Sequence, residues 1–159
     1  MNTTIRRKTN TRRAGTVTVE AALVLPLLLT LLFGIIEFGF IFKDLMLLHQ
    51  GAREGARVAA VGAIVDNVIS RAEEGAPTLN SDALDVVVQY RTFGGTNWSN
   101  WTQLDDYQGE NNAPGGSQIR VTLSYPHPLA AGPFFSRLIG NPGATSIPLT
   151  SSMVMYREQ

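Results

Sequence analysis

Residues 15–42 read GTVTVEAALVLPLLLTLLFGIIEFGFIF, and this stretch decides the fold. From Val17 to Phe42 only Glu20 and Glu37 are charged. About 26 residues at about 1.5 Å each make a helix of roughly 39 Å, which crosses a hydrocarbon core of about 30 Å with some tilt. A secretory signal peptide has a shorter apolar region of roughly 7–15 residues followed by small residues. Here the run ends in the bulky FGFIFKDLMLL, so the helix is read as retained in the membrane. Arg6, Arg7, Lys8, Arg12 and Arg13 precede it with no acidic residue among them, while Lys43 and Asp44 after it nearly cancel. That asymmetry predicts a cytoplasmic N-terminus and an extracytoplasmic C-terminal part.

Three residues inside the span need their own account. Glu20 lies at its cytoplasmic end, where a carboxylate reaches the headgroups. Glu37 lies near the outer end and is read as interfacial, in preference to a paired contact with another helix. Pro26 removes one backbone hydrogen bond. It marks either a place where the helix loosens or a tolerated bend, because neighbouring groups in a membrane satisfy the freed carbonyl.

The 159 residues allow an anchor and one modest domain. Beyond residue 15 the chain has 8 basic against 13 acidic side chains, which offers no basic face for nucleic acid. There is no cysteine, so disulfides, thiolate metal sites and cysteine nucleophiles are excluded together.

After the span, Leu45, Leu48, Ala52, Gly55, Ala59 and Gly62 continue a helical stripe that turns from large to small. Gly51 and Gly55, with Ala52, Ala56 and Ala60, let another helix or a sheet approach closely. Outside a membrane this points to packing within the chain more often than to dimerisation. IVDNVISRAEEG predicts a second short helix closed by Gly75 and Pro77. LDVVVQYRTF predicts a strand, and IRVTLSY another, with Ile119, Val121, Leu123 and Tyr125 on one face and Pro126 and Pro128 as stops. SIPLTSSMVMY is a third candidate strand despite Pro148. The expected fold class is α+β: a long N-terminal helix with a small head of about three antiparallel strands. The domains are then a leader at 1–15, a transmembrane helix at 16–42, and a head at 43–159 that is helical over 43–74 and mainly β over 83–156.

The loop GGTNWSNWTQLDDYQGENNAPGGS carries Trp98, Trp101 and Tyr107. Its tryptophans are read as covering the sheet, with surface or sugar contact as the alternative. Asn97 and Asn100 each begin a glycosylation sequon. Asp105, Asp106, Glu110, Asn111 and Asn112 are acidic or polar, but their spacing does not fit a calcium-binding loop of EF-hand type. His49 and His127 are the only histidines, and no metal-ligand spacing, phosphate loop or nucleophile elbow accompanies them. The sequence therefore points away from an enzyme and from any cofactor.

Gly15, four residues and then Glu20, behind a basic leader and at the mouth of the span, resemble the site read by prepilin peptidases of the type IV pilin class. With HQGAREGARVAAVG after the span and IPLTSSMVMYRE near the C-terminus, the chain resembles the TadE-like family, pilin-like proteins of the tight-adherence (Tad or Flp) pilus machinery. The resemblance is strong over 14–62, weaker at 145–158 and absent between. It implies cleavage after Gly15, a mature N-terminus at Thr16, and Glu20 neutralising the N-terminal amine of an adjacent subunit. Ala21 departs from the aromatic that often follows this glutamate. The resemblance also implies a single-pass protein of the bacterial inner membrane, with membrane lipid, a prepilin peptidase, other pilin-like subunits and the pilus assembly platform as partners. Glu20, Pro26, Gly51 and Gly55 are the candidate subunit-packing residues. The implied function is that of a minor pilin or pseudopilin in assembly or priming of an adhesive or secretory pilus. The alternatives are an uncleaved single-pass subunit and a membrane-tethered module that binds carbohydrate or another surface through Trp98 and Trp101.

Overall fold

The computed structural model describes residues 11–130, 132, 136–137 and 140–158. Arg6, Arg7 and Lys8 of the leader lie outside them. The first element, α1 (Thr11–Ala60), is a single helix of 50 residues, on the order of 75 Å long. Pro26 sits within it without ending it. The Thr30 hydroxyl donates to the Pro26 carbonyl at 2.8 Å, so this polar group is satisfied within the apolar run.

The helix stops at Gly62, whose φ of 97° suits a residue without Cβ. The Gly62 amide returns to Ala59 O and the Ala63 amide to Val58 O, which is the Schellman pattern. Other carbonyls of the last turn are taken from far along the chain. Asn111 Nδ2 donates to Ala59 O and Ala63 O, and the Glu158 amide donates to Ala60 O. The second helix, α2 (Val65–Glu74), has no side-chain cap of its own. Asp106 supplies one, accepting from the Val65 amide at 2.7 Å.

The head's main sheet has four antiparallel strands. Strand β1 (Asp85–Arg91) pairs with β2 (Thr102–Gln103) on one side and with β5 (Gln118–Pro128) on the other, and β5 pairs with β6 (Ser146–Tyr156). The order β2-β1-β5-β6 adds one two-residue strand to the three expected. A separate hairpin joins β3 (Asp106–Tyr107) to β4 (Glu110–Asn111). Its turn residues Gln108 and Gly109 both have positive φ, as a two-residue primed turn requires.

The stop expected at Pro126 is corrected. Strand β5 runs on to Pro128, with Pro126 opposite Pro148 of β6. Two facing prolines fit a non-hydrogen-bonded pair, in which neither amide points at the partner. On the other side β1 has already ended, its last register pair being Asp85 with Ser124. No neighbour there requires the missing N–H.

The core lies between α1 and the sheet. Leu48, Ala52, Ala56 and Ala59 meet Ile119, Val121 and Leu123 of β5, with Val88 of β1, Leu149 of β6 and Val68 and Ala72 of α2 completing it. Gly51 and Gly55, the candidate subunit-packing glycines, face their own chain. A Cβ on Gly51 would stand 2.5 Å from Ala72 O and 2.7 Å from Leu123 Cδ2, and one on Gly55 would stand 3.0 Å from Ala72 Cβ. Their small size lets α2 and β5 reach the helix backbone.

Candidate functional site

Three places on the molecule hold side chains that folding alone does not explain. The first is the junction at residues 15–20. Helix α1 begins at Thr11, so the Gly15–Thr16 peptide bond lies inside a helix. The local sequence makes this turn a weak part of the helix. Gly15 costs about 1 kcal/mol in a helix relative to alanine. The four β-branched residues after it, Thr16 to Val19, have restricted χ1 and low helix propensity. Glu20 is exposed, as is Pro26.

The second is a buried polar clasp between α1 and the head. Glu37 and Asp44 lie two helical turns apart, on the face that continues into Leu48 and Ala52. His127, near the end of β5, comes between them. Its Nδ1–H donates to Asp44 Oδ2 at 2.6 Å, and its Nε2 lies 3.7 Å from Glu37 Oε1. The Ala130 amide, just beyond β5, donates to the same Glu37 oxygen at 3.1 Å. Glu37 is 1% exposed, Asp44 6% and His127 3%. Charged groups this buried are tolerated only when paired and hydrogen-bonded. Lys43, half exposed, lies 3.4 Å from the other Asp44 oxygen. Glu37 is therefore not an interfacial carboxylate in contact with headgroups. It is held by the head of its own chain.

The clasp was within reach of the sequence. Glu37, Asp44 and Leu48 fall on one helical face, and His127 continues the inward alternation of Ile119, Val121, Leu123 and Tyr125. Pro126 hides the signal, because a proline after a strand pattern marks its end. The clasp also fixes where the head begins. Every large apolar side chain from Val17 to Ile36 is exposed, and burial starts at Glu37. The bare stretch of 16–36 is about 30 Å long, close to the hydrocarbon thickness of a bilayer. The head thus grips the last turns of the segment assigned to 16–42.

The third place is the sheet face turned away from α1. Arg91 and Arg120 lie diagonally across the β1–β5 pair, opposite Gln118 and Gln89. Arg91 Nε donates to Gln118 Oε1 at 2.8 Å and Arg120 Nη2 to Gln89 Oε1 at 2.6 Å. The Trp101 ring centre is 4.5 Å from the Arg91 guanidinium carbon and 4.1 Å from that of Arg120, and Trp98 is 5.1 Å from Arg91. Both tryptophans are half-buried and cover this face. The arginines lie over the ring faces as cation–π partners.

The acidic loop has structural work. Asp106 caps α2, Asn111 caps α1, Glu110 meets Arg157 at 2.9 Å, and Asn112 accepts from the Asp105 amide. His49 is exposed on α1, away from His127. Among the described residues no group of three His, Cys, Asp or Glu side chains is arranged to hold a metal ion.

By length and composition α1 carries one candidate membrane span. No curated protein and no solved structure matches the chain. A family model does match: that of the TadE-like proteins fits residues 15–57, the stretch that holds the junction, the apolar span, both α1 carboxylates of the clasp and the small-residue face, so over this helical stretch the chain is similar to that family.

Proposed function

We propose that the protein is a minor pilin or pseudopilin of a Tad-type pilus, inserted in the bacterial inner membrane with its N-terminus in the cytoplasm and its head outside. A prepilin peptidase cuts after Gly15, and the mature chain then serves in assembly or priming of an adhesive or secretory filament. The observation that carries this reading is the continuity of α1. One helix runs from a Gly15–Glu20 junction through an exposed apolar span of bilayer length into the buried spine of the head. A plain anchor needs the span but neither the junction nor the rigid continuation. The family match over residues 15–57 supports the association with Tad pili.

After cleavage, Thr16 carries a free amine and Glu20 lies one helical turn away along an otherwise uncharged surface. A carboxylate and an amine from neighbouring subunits, brought together in lipid, cost far less than either alone. Partners in this reading are lipid, the peptidase, other pilin-like subunits and the assembly platform. Its chemistry is packing, with no substrate turned over and no cofactor held.

The intact mass of protein extracted from membranes, with and without a co-expressed prepilin peptidase, tests this directly. The expected mature chain starts at Thr16 only when the peptidase is present. A chain that starts at Met1 in both cases overturns the processing step and with it the amine for Glu20. One observation favours the second reading, an uncleaved single-pass subunit: the helix already passes through Gly15. The same measurement decides between the two.

A further inference from the structure

Arg91 and Arg120 differ from four of the eight basic side chains of the head, and share their lack of a carboxylate among the described residues with the exposed Arg53. Arg57, Arg71, Arg157 and Lys43 each have a carboxylate within 4 Å, at Glu54, Glu74, Glu110 and Asp44. Arg91 and Arg120 have none among the described residues, although the chain beyond residue 15 has more acidic than basic side chains. Two like charges converge on one indole. Their forks are fixed by neutral amide oxygens of Gln118 and Gln89. Both terminal nitrogens of Arg91 and one of Arg120 have no protein partner among the described residues. A guanidinium held rigid on a ring, with free donors and no counter-charge, is preorganised for a carboxylate from outside.

The surroundings select the class of carboxylate. Beyond Arg120 the same face carries hydroxyls at Thr122 and Ser124 on β5 and at Ser152 and Thr150 on β6, flanked by Val87 and Val154, with Ser124 and Thr150 3.3 Å apart. Asp85, at the far end of β1, is the one acidic residue this face takes from β1, β5 and β6. Hydroxyls that both donate and accept match sugar hydroxyls. The tryptophan faces are already occupied by the guanidiniums, so the indoles position the arginines and do not stack on the ligand.

We propose that this face binds an acidic polysaccharide, with uronate carboxylates on Arg91 and Arg120 and sugar hydroxyls along the Thr122–Thr150 strip. The proposal rests on the head lying outside the cytoplasm, and it is independent of cleavage after Gly15 and of entry into a filament.

The test uses the full chain in detergent micelles and three polymers: pectate, the same polymer fully methyl-esterified, and neutral dextran. Pectate should be retained, its retention should weaken with salt, and neither uncharged polymer should be held. The double variant R91Q/R120Q should bind pectate at least about tenfold more weakly, with an unchanged melting temperature. Equal retention of esterified and free polymer, or no retention of pectate, overturns the proposal without recourse to any variant. Full binding by a folded R91Q/R120Q does so as well. If the chain instead self-associates without polymer, and R91Q/R120Q abolishes that, the face is a contact between subunits and the polysaccharide assignment falls. None of these outcomes alters the mass measurement that tests processing.

Discussion

Residues 16–36 and 37–60 belong to one uninterrupted helix, yet they are built on opposite rules. In the first part Leu, Val, Ile and Phe point in every direction and every large one is exposed. In the second, one face is buried and is made of Glu37, Asp44, Leu48 and then glycine and alanine. The backbone geometry is the same, so the difference lies in what surrounds it. Lipid accepts large side chains on all sides and demands no close approach. A sheet and a second helix demand it, and a Cβ on Gly51 would already overlap the α2 backbone.

One substitution made twice gives the sharpest test. Gly51→Leu should cost about 3 kcal/mol or more, because the backbone atom it meets cannot move aside like a side chain. Gly34→Leu, with nothing within 4 Å of its Cβ position, should leave the head's stability within about 0.5 kcal/mol. Thermal unfolding of detergent-extracted protein measures both, and equal effects would end the comparison. Next in size is His127→Leu, which leaves two buried carboxylates without their imidazole and should cost about 3 kcal/mol. Asp44→Leu combined with His127→Leu should cost clearly less than the sum of the two singles, since the residues act as a pair. Additive losses would mean that the clasp is no unit.

Asn111→Ala removes two bonds to carbonyls at the end of α1 and should cost about 2 kcal/mol. Faster hydrogen exchange should be confined to the turn at residues 59–65. A smaller loss, about 1 kcal/mol, is expected for Arg157→Ala, because its Glu110 partner is largely exposed and only the contact with Ala60 O is sheltered.

The same contrast explains what could be read from the sequence. The span, the small-residue stripe and the inward alternation of Ile119, Val121 and Leu123 are local periodicities, and each reappears in the fold. The full length of β5 is not a local property, because whether a proline ends a strand depends on which neighbour still needs its amide. That neighbour, β1, has its near end at Asp85, about 40 positions earlier in the chain. The caps from Asp106 and Asn111 were equally hidden, since each reaches an element more than 40 positions away. Of the site residues, Gly15 and Glu20 stand out by spacing alone, whereas the clasp exists only once the end of β5 lies on α1, and the arginine pair only once β1 and β5 are side by side.

The order of synthesis gives the β5–β6 pairing a further consequence. The helix is made first, but its buried face is covered by the two strands made last, and its final carbonyls wait for Arg157 and Glu158. Nearly one hundred residues separate Ala60 from the groups that cap it. One side of β5 stays unpaired, and part of the α1 face stays uncovered, until β6 has been made. Folding of the head thus waits on residues 146–158, however early the helix forms.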